Sequence, residues 1–277
     1  MSWKQHIKYL GPGLVVAATG VGAGDLIAAS VGGANFGYII LWSALVGALI
    51  KYTLNEGVAR WQLESQLSII EAWRKYFPSW ISTFFLIYLM IWSFIVGAAL
   101  SSACGLAAHA IFPILSIPVW GIIQAVIALI LVVFIQYSLF EKVMKILIAV
   151  MFSLVIFSTF LSQPDWWKVL KGVFIPGVPA GSIWLILGII GGVGGSVSIL
   201  SYGYWIKEKN WKEKKHLSRV KVDLTVAYIL TALFALAIMI MAAELHPDNL
   251  NGSKIVLSLA EKIGKTTGKT GEWIFLL

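Results

Sequence analysis

Apolar residues along this chain gather into long runs separated by short polar segments. Seven runs are long enough for a helix to cross a hydrocarbon core, which takes about 20 residues. They cover residues 11–33, 36–58, 80–111, 119–137, 143–161, 182–206 and 222–243. Another apolar run starts at 273, and the sequence stops at Leu277. The pattern predicts an all-α fold, a polytopic transmembrane helix bundle forming a single transmembrane domain over 1–277.

The composition agrees with that reading. Hydrophobic residues make up 59% of the 277 and charged residues 12%, about half the usual charged share of a globular domain. A water-soluble fold would leave much of this apolar surface exposed, so the expected partner is a lipid bilayer. Residues 1–10 (MSWKQHIKYL) lack an apolar core followed by a small-residue cleavage site, so no cleaved signal peptide is expected. Cys104 is the single cysteine, which excludes an internal disulfide or a thiolate metal cluster.

The net charge of +8 reads as topology. With the N-terminus inside, 15 of the 21 Lys and Arg fall on the cytoplasmic side, so the positive-inside rule favours that orientation. The basic residues are spread over loops and not interleaved with aromatics on one face, so no nucleic acid is expected as a partner. The linker 62–77, with Leu67, Ile69, Ile70 and Trp73 among polar residues, suits a short helix on the inner surface. The linker 163–180 carries a Trp pair and three prolines and suits an outer interfacial segment.

Two runs are interrupted by glycine. The first contains Gly20-Val21-Gly22-Ala23-Gly24-Asp25, and the sixth contains Gly191-Gly192-Val193-Gly194-Gly195-Ser196. Each glycine weakens a helix by about 1 kcal/mol relative to alanine, so three or four within six residues predict unwinding. Unwound backbone is tolerated at that depth only where it is buried in protein or lines a wet cavity. Its freed carbonyls can coordinate a cation, and Gly-interrupted spans heading two halves of a five-plus-five inverted repeat point to a transporter site. The competing reading is close helix packing through small residues. Gly20, Gly24, Gly191 and Gly194 are the expected unwound or hinge positions. Gly22, Gly192, Gly195 and Ser196 are the expected lining of the site.

Asp25 adds a charge to the first interruption. A carboxylate at the bilayer centre costs about 2.5–3.5 kcal/mol on insertion scales and usually marks an ion pathway. Its bland reading is a structural ion pair with Lys51, itself expected to snorkel toward the inner side. Glu56 has the same bland reading. His109 is expected to be a hydrogen-bonded packing residue. No HxxxH or CxxC pattern, GxSxG elbow or strand-linked dinucleotide fingerprint occurs, so neither an imidazole or thiolate metal site nor an enzyme is expected.

Gly11-Pro12-Gly13-Leu14-Val15-Val16-Ala17-Ala18, then Gly32-Gly33-Ala34-Asn35-Phe36-Gly37-Tyr38 and Leu41-Trp42, resemble the first spanning segment of the Nramp divalent metal transporters. Ala59-Arg60, Ile117-Pro118-Val119-Trp120 and Phe140-Glu141-Lys142-Val143 resemble the end of that family's second span and the entries to its fourth and fifth. The resemblance implies a LeuT-type inverted-repeat fold with discontinuous helices 1 and 6. It also implies an incomplete second repeat and a chain truncated at its C-terminus.

The departures from the family pattern fall on the chemistry. The resemblance implies a first-span Asp-Pro-Gly-Asn with metal-binding Asp and Asn, where this chain reads Gly22-Ala23-Gly24-Asp25. It implies a sixth-span Ala-Thr-Val-Met-Pro-His, where this chain reads Gly192-Val193-Gly194-Gly195-Ser196-Val197. The family's third-span carboxylates have no counterpart in 97–112. Without thioether or imidazole, an oxygen-only site suits a hard ion such as Mg²⁺ or Mn²⁺. The expected function is secondary transport of a metal cation by alternating access in a bacterial or archaeal cytoplasmic membrane. That cation would be the substrate, with no resident cofactor. Transport of an amino acid or organic cation, and a non-transporting membrane scaffold, are the alternatives.

Overall fold

The computed structural model describes residues 11–20, 22–193, 197–211, 213–245 and 253–276. Those residues form helices and turns, with no strand among them. The first run is two helices, α1 (Pro12–Gly20) and α2 (Ala23–Phe36), parted at the glycine interruption. The chain then turns through a 3-10 segment, Gly37–Ile40, into α3 (Trp42–Ser65).

That turn corrects an expected boundary. The second run was expected from Phe36, but its helix starts at Trp42, and the pair is bent by 105°. Gly37 takes φ 60, a left-handed backbone that residues with a Cβ rarely adopt. The apolar run continues through the bend, so hydropathy alone could not place it.

A short helix α4 (Ile69–Tyr76) follows, where the 62–77 linker predicted one. Its Ser68 side chain accepts from the Glu71 amide, while Glu71 Oε2 accepts from the Ser68 amide at 2.5 Å, closing a capping box. Trp73 meets Phe85 edge-on, with ring centroids 4.8 Å apart. Two apolar helices, α5 (Ser79–Ile111) and α6 (Ile117–Phe134), then pack on each other through Gly105 and Gly121. Their other faces are exposed, with Phe94 at 81% and Phe134 at 80%, which suits contact with lipid. His109 Nδ1 donates to the Leu115 carbonyl at 2.7 Å, the packing role expected of it.

Helix α7 (Tyr137–Leu161) starts six residues before the expected 143. Within the 163–180 linker lies α8 (Trp166–Phe174), capped by Asp165. The sixth run is again two helices, α9 (Ile183–Gly192) and α10 (Ser198–Glu208). Helix α11 (Leu217–Ala243) begins before the expected 222, and α12 (Ser253–Leu276) is helical well before the expected 273. Ile255, Leu259 and Ile263 recur every four residues on one buried face of α12. Gly268, at φ 80, breaks its helical path.

Among the described residues, four helices are long and apolar enough to cross a membrane: Ser79–Ile111, Ile117–Phe134, Ser138–Leu161 and Lys214–Ala243. The bent pair Gly24–Ile40 and Trp42–Ser65 makes a fifth if counted as one. The half-helices α1, α9 and α10 have 9, 10 and 11 residues, too short to span alone.

Helix α11 is the centre of the core. It packs against α1, α2, α3 and α7, while α9 packs on α2 and α3. Close approach explains several glycines: Gly13 lies against Asp223, Gly33 against the Met239 backbone, and Gly47 against Ile190. The two broken runs therefore lie inside one bundle, with α5 and α6 to its side.

Candidate functional site at two helix breaks

The first break exposes the C-terminal end of α1 and the N-terminal end of α2. Gly22 is extended (φ −65, ψ 163), and its carbonyl accepts the Leu26 amide at 3.0 Å. That carbonyl, expected to be freed, thus closes the first turn of α2. The carbonyls that lack an i+4 amide by geometry are the last four of α1. At the second break, α9 also ends on a glycine, Gly192. Val193 leaves the helical path at φ −46, ψ 110, after its amide has bonded to Ile189. The ends of α1 and α9 carry the negative poles of their helix dipoles, and the starts of α2 and α10 the positive poles.

Asp25 lies in the first turn of α2, where the dipole favours an acid. It is half-buried. Its carboxylate is laid directly on the second break: a Cβ built on Gly192 would stand 2.5 Å from Asp25 Oδ1. The absence of a side chain at 192 is what admits the carboxylate. Gly24 and Gly191 border open space, since a Cβ at either would meet nothing within 4 Å. Gly20 ends α1. Gly194, Gly195 and Ser196 lie outside the described residues.

Lys51 faces the same region. Expected to snorkel, it is instead 5% exposed in the middle of α3. Asp25 and Lys51 lie within electrostatic reach of each other. One turn before it, Gly47 packs on Ile190 and Val193 at the second break. One turn after it, buried Asn55 donates to the Tyr228 hydroxyl of α11 at 3.2 Å.

A second polar cluster, not anticipated from the sequence, closes one end of the bundle. Asp223 of α11 is 1% exposed and accepts the Gly11 amide at 3.0 Å, the Gly13 amide at 2.6 Å and the Tyr202 hydroxyl at 3.1 Å. It ties the entry to α1 to α10. Beside it, Glu141 of α7 is 3% exposed and pairs with Lys145 at 2.6 Å and Lys209 at 2.7 Å. The available signal was an acid at the start of each of two apolar runs. Glu56 is held by Arg60 at 2.5 Å and Lys221 at 3.7 Å.

Among the described residues, no group of three or more His, Cys, Asp and Glu side chains could hold a metal ion. What the breaks bring together is one carboxylate, two sets of helix-terminal carbonyls and a buried lysine. A cation held here would therefore meet oxygen donors from Asp25 and backbone, a hard ligand set.

Known metal transporters resemble this chain in sequence and in fold. The family model described as natural resistance-associated macrophage protein-like (Nramp) matches residues 13–277. The divalent metal cation transporter MntH of Caldanaerobacter subterraneus subsp. tengcongensis is 26% identical over 98% of this chain. Its Staphylococcus aureus (strain MRSA252) counterpart is 28% identical over 68% of the chain. Among solved structures, the manganese transporter of Eremococcus coleocola superposes over 99% of this chain with a TM-score of 0.80 at 21% identity. The chain spans 66% of the length of the first relative, 43% of the second and 62% of the solved structure.

Proposed function

This chain belongs to the Nramp family, and on that premise we propose that it carries a hard divalent cation such as Mn²⁺ or Mg²⁺ across a membrane by alternating access. The observation that carries the proposal is the seating of the Asp25 carboxylate on Gly192. It joins the two helix breaks at a point where an intramembrane acid can hold an ion.

The remaining donors are carbonyls at the ends of α1 and α9. A single acid with carbonyl oxygens favours hard ions over those that prefer sulfur or nitrogen. The breaks serve as hinges as well as ligands, because a half-helix can tilt without dragging its other half. The N-terminus faces the cytoplasm, the orientation that the Lys and Arg distribution favours, in a bacterial or archaeal cytoplasmic membrane. The cation is the substrate, no resident cofactor takes part, and no covalent chemistry is catalysed.

The test is Mn²⁺ uptake into proteoliposomes by the purified chain and by Asp25→Asn, at matched reconstitution. Saturable uptake is expected in the wild type, with collapse to the protein-free rate in the variant. Wild-type uptake by Asp25→Asn would overturn the assignment.

A further inference from the structure

Lys51 is the charged residue that the transport reading leaves without a role. It follows Gly47-Ala48-Leu49-Ile50 in the interior of α3 and is 5% exposed. A buried ammonium far from any acid costs so much that such groups are paired in practice. Asp25 lies within its electrostatic reach and is the same group that the transported ion needs.

Helix geometry directs the lysine toward the break. Residues four apart share a face. Gly47, four residues before Lys51, contacts Ile190 and Val193, where a Cβ would stand 3.0 Å from Ile190 Cα and 3.3 Å from Val193 Cβ. Asn55, four residues after it, reaches Tyr228. The lysine thus lies between the second break and α11, on the same side of α3 as the turn of α9 that seats Asp25.

We propose that Lys51 is a tethered cation of the transport site. Its ammonium balances Asp25 when the site is empty, and the incoming ion binds against the opposition of that fixed charge. The inference rests on Asp25 being the ligand of the transported cation. It has a consequence for specificity: one acid and one base leave the site near neutrality, so dications are held weakly and released readily. Lys51 is a specificity-determining residue that touches the ion's field without donating to it.

The test is Mn²⁺ binding to the full chain in nanodiscs, followed by loss of the free-ion electron paramagnetic resonance signal. Lys51→Met and Lys51→Gln remove the charge with different polarity, so either can carry the test if the other misfolds. Each is expected to bind Mn²⁺ at least tenfold more tightly than wild type, about 1.4 kcal/mol. Lys51→Arg keeps the charge and is expected to keep wild-type affinity. Unchanged or weaker binding in the neutral variants would overturn the role of Lys51. In that case loss of binding in Asp25→Asn would leave the transport reading standing. Binding unaffected by Asp25→Asn would overturn both.

Discussion

Gly192→Ala probes the join between the two breaks most sharply. The new Cβ would stand 2.5 Å from Asp25 Oδ1 and 3.7 Å from Asp25 Cγ. Comfortable non-bonded separations are roughly 3.5 Å or more, so the carboxylate has to retreat by about 1 Å. A short side chain achieves that by rotating about χ1, which removes its oxygens from the break. Misplacement by about 1 Å costs up to about 10²-fold where geometry limits a reaction, and we expect Mn²⁺ uptake below saturation to fall at least tenfold, about 1.4 kcal/mol.

Gly188→Ala is the matched control. It lies one turn earlier in α9, and its Cβ would meet nothing within 4 Å. Replacing a helix-interior glycine gains roughly 0.5–1 kcal/mol of stability, so Gly188→Ala should transport normally and melt slightly higher. The assay is initial-rate uptake in proteoliposomes alongside thermal unfolding in detergent. Normal uptake by Gly192→Ala, or equal losses in both variants, would refute the contact as the basis of the site.

Other substitutions address the surrounding framework. Asp223→Asn places an amide NH₂ where two backbone amides already point at the carboxylate. An unsatisfied buried polar group costs about 1–3 kcal/mol, so the melting temperature should drop measurably, and an unchanged melt would argue against the tie. Glu141→Ala strands Lys145 and Lys209, yet both lysines are about a third exposed (34% and 36%) and can turn to water. The loss should therefore fall well below the roughly 3–5 kcal/mol of a fully buried pair, and Lys145→Ala should cost less than Glu141→Ala in the same melt. At Glu71, the Ser68 hydroxyl, the Ser68 amide and Lys207 hold the carboxyl down to about 2. A depressed folded-state value means that its support for α4 is complete above the ordinary value of 4.5 and fades as pH falls toward about 2. Hydrogen exchange of the peptide 68–77 should show α4 opening over that interval in wild type but not in Glu71→Gln, and identical profiles would contradict the capping role.

Much of the site was written in local sequence. Glycines concentrated at 20–24 and 191–195 interrupt apolar runs, and helix propensity alone converts that into two breaks. The acid at Asp25 marked the break whose side chain reaches the other, at Gly192. What escaped the sequence depended on tertiary packing. Lys51 was expected to snorkel, because nothing local says which face of α3 meets α9. Asp223 sits one residue inside an apolar run, and its three donors come from residues 11, 13 and 202, which the fold alone brings together. The bend after Phe36 was hidden by continuous hydrophobicity through Ile39, Ile40 and Leu41. Helix α12 was missed because its buried stripe of Ile255, Leu259 and Ile263 lies in a segment that also carries Lys254, Glu261, Lys262, Lys265 and Lys269, too polar to register as a span.

The most direct measurement is anomalous diffraction at the manganese edge from crystals of the chain soaked in Mn²⁺. The expected result is one strong peak between the two helix breaks, roughly 2.0–2.6 Å from an Asp25 carboxylate oxygen, as hard dications bind oxygen. The same peak should vanish in Asp25→Asn crystals. A manganese peak elsewhere, with none between the two helix breaks, would contradict the account.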